Sequence, residues 1–126
     1  MKYIIVTNNS KVFNFYRETD EIFWFDDKSF QEILNSVKES VEDGHKLLSD
    51  PILYNLENSS NPFKSILISK NRFLDNTSSK EIIDGAIHIA KKINPIDRTA
   101  LNTEALEEFK FIDLNLITDS IKEVSK

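Results

Sequence analysis

His45 and His88 are the only imidazoles in a chain of 126 residues that has no cysteine. Proton transfer near neutral pH therefore has two candidate carriers, whereas thiol chemistry is excluded and a zinc site lacks an adequate ligand set. His45 stands in the run Gly44-His45-Lys46-Leu47-Leu48-Ser49-Asp50-Pro51, between a helix-stopping glycine and a turn-setting proline. There it could carry a proton or, with Lys46, contact an anion. The plainer alternative is a histidine packed at a helix C-terminus, where the helix dipole favours its cation. His88 falls opposite the apolar stripe of its own segment and four residues from Asp84, the pattern of a solvated helix residue.

A second cluster is Thr7-Asn8-Asn9-Ser10, directly after an apolar run. Its backbone N–H groups and side-chain amides could receive a carboxylate or phosphate, although such residues also form ordinary turns and no glycine allows close phosphate approach. Asn61-Pro62-Phe63-Lys64 adds a further cation. Thr7, Asn8, Asn9, His45, Lys46 and Lys64 are thus the candidate contacts for a small anionic metabolite, provided that they share one cleft. No residue carries a catalytic motif: no serine sits in a nucleophile-elbow setting, and the segment Asn55–Asn61 lacks the glycines of a phosphate loop. Asp20-Glu21 and Asp26-Asp27 read as solvated charge. Neither a metal nor a cofactor is expected.

The elements that must position these residues follow from periodicity. Lys2–Thr7 is β-branched and aromatic and predicts a buried strand; Glu21–Phe25 and Lys64–Ser69 read likewise. Val12–Tyr16 fits a short helical turn or a strand equally well. Ser29 and Glu32 form a capping box, after which Phe30, Ile33, Leu34, Val37 and Val41 share one helical face up to Gly44. Leu47-Leu48 opens a short strand limited by Asp50-Pro51, and Asn55–Pro62 reads as a polar loop. Ser78 and Glu81 predict the start of another helix that Asn94-Pro95 ends, with Ile82, Ile83, Ala86, Ile87, Ile89, Ala90 and Ile93 as its apolar face and Gly85 weakening it slightly. In the tail, one uninterrupted helix would put Asp113 and Ser120 inside the apolar stripe. Two helices are expected instead, with Asp113 capping the second. Strands alternating with amphipathic helices predict an α/β fold: one small domain over residues 1–126, its short mixed or mostly parallel sheet flanked by helices. Ligands in such sheets sit beyond the carboxyl ends of strands, which points to Thr7–Ser10 and to the loops around His45 and Ser69.

Charge and composition narrow the partners. The net charge is -5, with 6 basic and 11 acidic residues up to Phe63 and 10 of each after it. No basic stripe for nucleic acid is present. The N-terminal apolar run is too short for a signal peptide and nothing is long enough to span a bilayer, so a cytoplasmic location is expected. Phe13, Phe15, Tyr16, Phe23, Trp24 and Phe25 are dense for so short a segment. Most belong in a core, and one side of the strand is available for self-association or a partner.

Three segments, Met1–Asn9, Gly44–Leu48 with Pro51 behind it, and Asn61–Ser65, resemble the GrdX family, with a looser similarity around Ile112–Ile117. Members are small proteins encoded with the glycine, sarcosine and betaine reductase genes of anaerobic, amino-acid-fermenting bacteria. The family pattern has a His-Pro pair and a Gly/Ser/Lys-containing loop where this chain has Asp50-Pro51 and Leu53 to Asn61. What carries over is therefore limited to Asn8, Asn9, His45, Lys46, Pro62 and Lys64. The resemblance implies an accessory role, in assembly or regulation, beside a selenium- and thiol-dependent reductase, and it assigns no reaction. Reductase components or a second copy of the chain are the expected partners. The alternative is the small anionic-metabolite domain, binding or enzymatic, with its site near Asn8, Asn9, His45 and Lys46.

Overall fold

The computed structural model describes residues 2–52, 61–92 and 97–125. The buried run after Lys2 forms β1 (Tyr3–Thr7), and Asn9 ends it by capping α1 (Ser10–Tyr16), its side chain accepting from the Lys11 N–H. The ambiguous Val12–Tyr16 segment is therefore helical. After β2 (Ile22–Trp24), the predicted capping box is present: Ser29 and Glu32 exchange hydrogen bonds at the start of α2 (Phe30–Glu42). Gly44 then turns the chain into β3 (His45–Leu47), two residues earlier than the leucine pair suggested. β4 (Ser65–Arg72), α3 (Thr77–Ala90), a 3-10 turn (Arg98–Ala100) and α4 (Thr103–Val124) complete the order.

The sheet runs β2-β1-β4-β3 and is mixed. β1 pairs parallel to β2 and antiparallel to β4, with Thr7 opposite Ser65 and Tyr3 opposite Ser69. β3 pairs antiparallel to β4, with His45 opposite Arg72 and an irregularity before Leu47. Because successive side chains of a strand point to opposite faces, the central strands feed two cores. Ile4, Val6, Ile66 and Ile68 pack with Phe30, Ile33, Leu34, Val37 and Val41 of α2 and with Ile83, Ala86 and Ala90 of α3. Ile5 and Leu67 face Val12 and Tyr16 of α1 and Ile117 of α4. The result is the expected α/β architecture, helices covering both faces of the sheet. No helix among the described residues is long and apolar enough to cross a membrane.

Three expectations change. The tail is one helix of 22 residues, and Asp113 lies buried within it instead of capping a second helix. Three donors on neighbouring elements satisfy its carboxylate, so the helix need not break. Ser120 stays in the helix by bonding back to the Leu116 carbonyl at 3.2 Å. Second, α3 starts at Thr77 after Asn76, not through a Ser78 box. The Asn76 amide is directed elsewhere, to the Val41 carbonyl at the end of α2 and to the His45 carbonyl. Third, Ile82, expected on the apolar face of α3, is 51% exposed. The expected loop Asn55–Pro62 lies outside the described residues up to Ser60, as do Ile93 to Ile96.

Candidate functional site

The carboxyl end of β1 gathers most of the polar residues that the sequence singled out. Thr7, Asn8, Asn9, Lys64 and Ser65 are all buried there, and Asp113 reaches them from α4. Asn8 Nδ2 donates to the Lys28 carbonyl at 2.9 Å and the Pro62 carbonyl at 3.1 Å, while its Oδ1 accepts the Lys64 N–H at 2.8 Å. Asn9 Nδ2 donates to the Lys110 carbonyl at 2.9 Å and to Asp113 Oδ2 at 3.0 Å. An amide has two N–H protons, so both asparagines have spent theirs on the fold.

The hydroxyls are ordered by the same inventory. Ser65 Oγ lies 2.6 Å from Asp113 Oδ2 and 2.6 Å from Thr7 Oγ1. A carboxylate only accepts, so the single Ser65 proton goes to Asp113 and Thr7 must donate to Ser65. Thr7 Oγ1 in turn accepts the Asn9 N–H at 3.0 Å. This network joins β1, β4, α1 and α4 through one enclosed carboxylate.

Lys64 differs from its neighbours. Its backbone is held by Asn8, but its ammonium has no hydrogen-bond partner among the described residues. Burial pushes the ammonium below the usual lysine range, opposed by Asp113 and Asp50. It lines a cleft of about 190 Å³ with Ser49, Asp50, Ser65, Asp119 and Ser120. A lysine held this way releases its proton more readily than a solvated one.

His45 and Lys46 are elsewhere. β4 has 8 residues, so its ends lie about 23 Å apart at roughly 3.3 Å per residue. His45 pairs with Arg72 at one end, whereas Thr7 pairs with Ser65 at the other. Strand direction causes this split: β1 and β3 both run antiparallel to β4, so the end of β1 and the start of β3 lie at opposite ends of it. His45 is buried, with Nδ1 2.6 Å from the Ser69 carbonyl. A carbonyl can only accept, so Nδ1 carries a proton. The Lys46 ammonium rests 4.3 Å from the centre of the Phe73 ring, and the Lys46 backbone N–H donates to Ser69 Oγ across the β3–β4 irregularity. The six candidates therefore divide into Thr7, Asn8, Asn9 and Lys64 in one cluster and His45 and Lys46 in another. His88 is exposed on α3, and Asp26 and Asp27 are exposed, as read from the sequence. Among the described residues no group of histidine and carboxylate side chains could hold a metal ion.

The β1 network lies within a segment that a family model also covers. The model described as GrdX-like protein matches residues 4–122. The chain belongs to the GrdX-like family. No curated protein and no solved structure matches it significantly. For this GrdX-like chain the residues of the network that sequence reasoning missed are Ser65 and Asp113 in its actual role. The signal for Asp113 was visible as a carboxylate in an apolar stripe.

Proposed function

We propose that this GrdX-like protein is a non-catalytic accessory protein of the glycine, sarcosine and betaine reductase system, acting in the cytoplasm through contact with a reductase component in its assembly or regulation. Family membership supports the system, and the surface formed by α1 and α4 supports the mode of action. Phe15 is 67% exposed and Phe111 is 56% exposed. Lys11 and Phe15 are four residues apart on α1, as are Glu107 and Phe111 on α4, so each pair shares a helical face. Lys11 and Glu107 bridge at 2.8 Å, which brings the two faces together edge to edge. Two large aromatic side chains on one surface, beside asparagines whose amides are consumed internally, favour protein contact over turnover.

The test is affinity capture from a lysate of fermenting cells, using the wild type and a Phe15→Glu, Phe111→Glu variant. Enrichment of a reductase component by the wild type, lost in the variant while its circular dichroism is unchanged, supports the reading. Capture of no reductase component, or equal capture by the variant, overturns it in this form. Both residues are exposed, so the substitutions leave the core intact.

A further inference from the structure

Beyond the carboxyl ends of β1 and β2 lies a cleft of about 220 Å³ whose wall holds two cations over one ring. Arg98 of the 3-10 turn has its guanidinium carbon 5.7 Å from the Phe63 ring centre, and Lys110 of α4 has its ammonium 5.5 Å from the same centre. Phe63 itself is buried. Its segment is pinned on both sides: Asn61 accepts the Phe63 N–H at 2.9 Å and donates to the Phe109 carbonyl at 3.0 Å, and Asn8 accepts the Lys64 N–H. The floor of the cleft is therefore set by the fold.

Arg98 is only partly used. One Nη2 hydrogen goes to the Lys28 carbonyl at 3.2 Å, and no carboxylate lies within ion-pair distance among the described residues. A guanidinium has five N–H donors, so four remain. Lys110 is held loosely, 3.6 Å from Glu107, which is already engaged with Lys11 at 2.8 Å. Ser10 and Thr99 line the same space, the Thr99 hydroxyl donating to Asp97 at 2.8 Å, and Asp26 is the only carboxylate in the lining.

We infer that this cleft binds a small organic or inorganic oxyanion, a carboxylate or a phosphate, with Arg98 as the planar fork and Lys110 as the second charge. A carboxylate or phosphate presents two oxygens at the spacing that a guanidinium fork matches. The cleft is smaller than the roughly 300–1,000 Å³ of sites for drug-sized ligands, which limits the occupant to a small molecule. With Asp26 in the lining, Arg98, Lys110 and Asp26 together carry one net positive charge, and that balance suits a singly charged anion.

The experiment is an amide and arginine-side-chain NMR titration of the full chain with acetate and, separately, with inorganic phosphate at constant ionic strength. Saturable shifts confined to Ser10, Arg98, Thr99 and Lys110 are expected, and the anion that produces them decides between carboxylate and phosphate. Arg98→Ala should weaken that binding about tenfold or more, the scale of a lost charge-assisted contact. Arg98→Lys should restore part of it, and Lys38→Ala on α2 should leave it unchanged. The inference is overturned if neither anion gives saturable shifts at those residues, or if Lys38→Ala weakens binding as much as Arg98→Ala. Arg98 is partly buried in a turn; should its alanine variant unfold, Lys110→Gln supplies the same comparison.

Discussion

Asp113 accepts both hydrogen bonds that Ser65 can donate, the backbone N–H at 3.0 Å on Oδ1 and the hydroxyl at 2.6 Å on Oδ2. With the third bond from Asn9, this carboxylate staples the middle of α4 to the first residue of β4 and to the turn after β1. Asp113→Asn turns one acceptor into an NH2 group facing a donor, and the remaining oxygen cannot serve all three partners. The expected loss is about 2–4 kcal/mol, the cost of one charged hydrogen bond plus a stranded buried donor. Urea unfolding should show a lower midpoint with an unchanged slope. A loss below about 0.5 kcal/mol, the range of ordinary surface substitutions, would mean that Asp113 does not hold these elements together.

That network marks the boundary of what the sequence made legible. Local signals were reliable where chemistry is local: the Ser29–Glu32 box, the apolar face of α2 and the stop at Gly44 all appear in place. The α/β class was equally legible from alternating strand and helix patterns. Asp113 was misread because its partners are Asn9, 104 residues away, and Ser65, 48 residues away, which no local rule anticipates. The pairing of Asn8 and Asn9 with His45 and Lys46 depended on strand direction. Turn chemistry says nothing about whether β1 and β3 run antiparallel to β4, and those two pairings separate the groups.

Lys64 should make stability depend on pH. Burial lowers its folded pKa from the 10.5 of a solvated lysine. Between the folded value and 10.5 the unfolded chain binds more protons than the native one, so this group makes stability rise with pH in that window. Below the window the penalty of enclosing the ammonium is fully present. Lys64→Met removes the titration. Measured by urea unfolding at a series of pH values, the stability of the wild type relative to Lys64→Met should improve as pH rises toward 10.5. A difference that stays constant over that range would show that Lys64 titrates as a solvated lysine.

Tyr3 acts in the opposite sense at the other end of β1. Partial burial, and then the Asp20 carboxylate that accepts its hydroxyl at 3.1 Å, push its phenol up to about 12 from 10.0. The native state keeps this proton where the unfolded chain has lost it. Its contribution is fully present below pH 10 and disappears as pH rises through about 12. Ultraviolet titration of the wild type minus Tyr3→Phe should isolate a phenolate step near 12. A step at the ordinary tyrosine value would rule out this account.

The two glycines should respond to alanine with opposite signs. Gly44 has φ of +111°, and a Cβ added there would lie 3.1 Å from Arg72 Cβ, across the β3–β4 pair. Both the backbone conformation and the close approach oppose a side chain, so Gly44→Ala should cost about 1–2 kcal/mol or more. Gly85 is inside α3, and an added Cβ meets nothing within 4 Å. Gly85→Ala should stabilise the protein by about 0.5–1 kcal/mol, because it reduces the freedom of the unfolded chain and exposes no new strain. At roughly 3–5 °C per kcal/mol for a domain of this size, thermal melts should move down for the first variant and up for the second. A rise for Gly44→Ala would mean that the turn into β3 relaxes without strain, and His45, placed by that turn, would then be free to shift from Ser69.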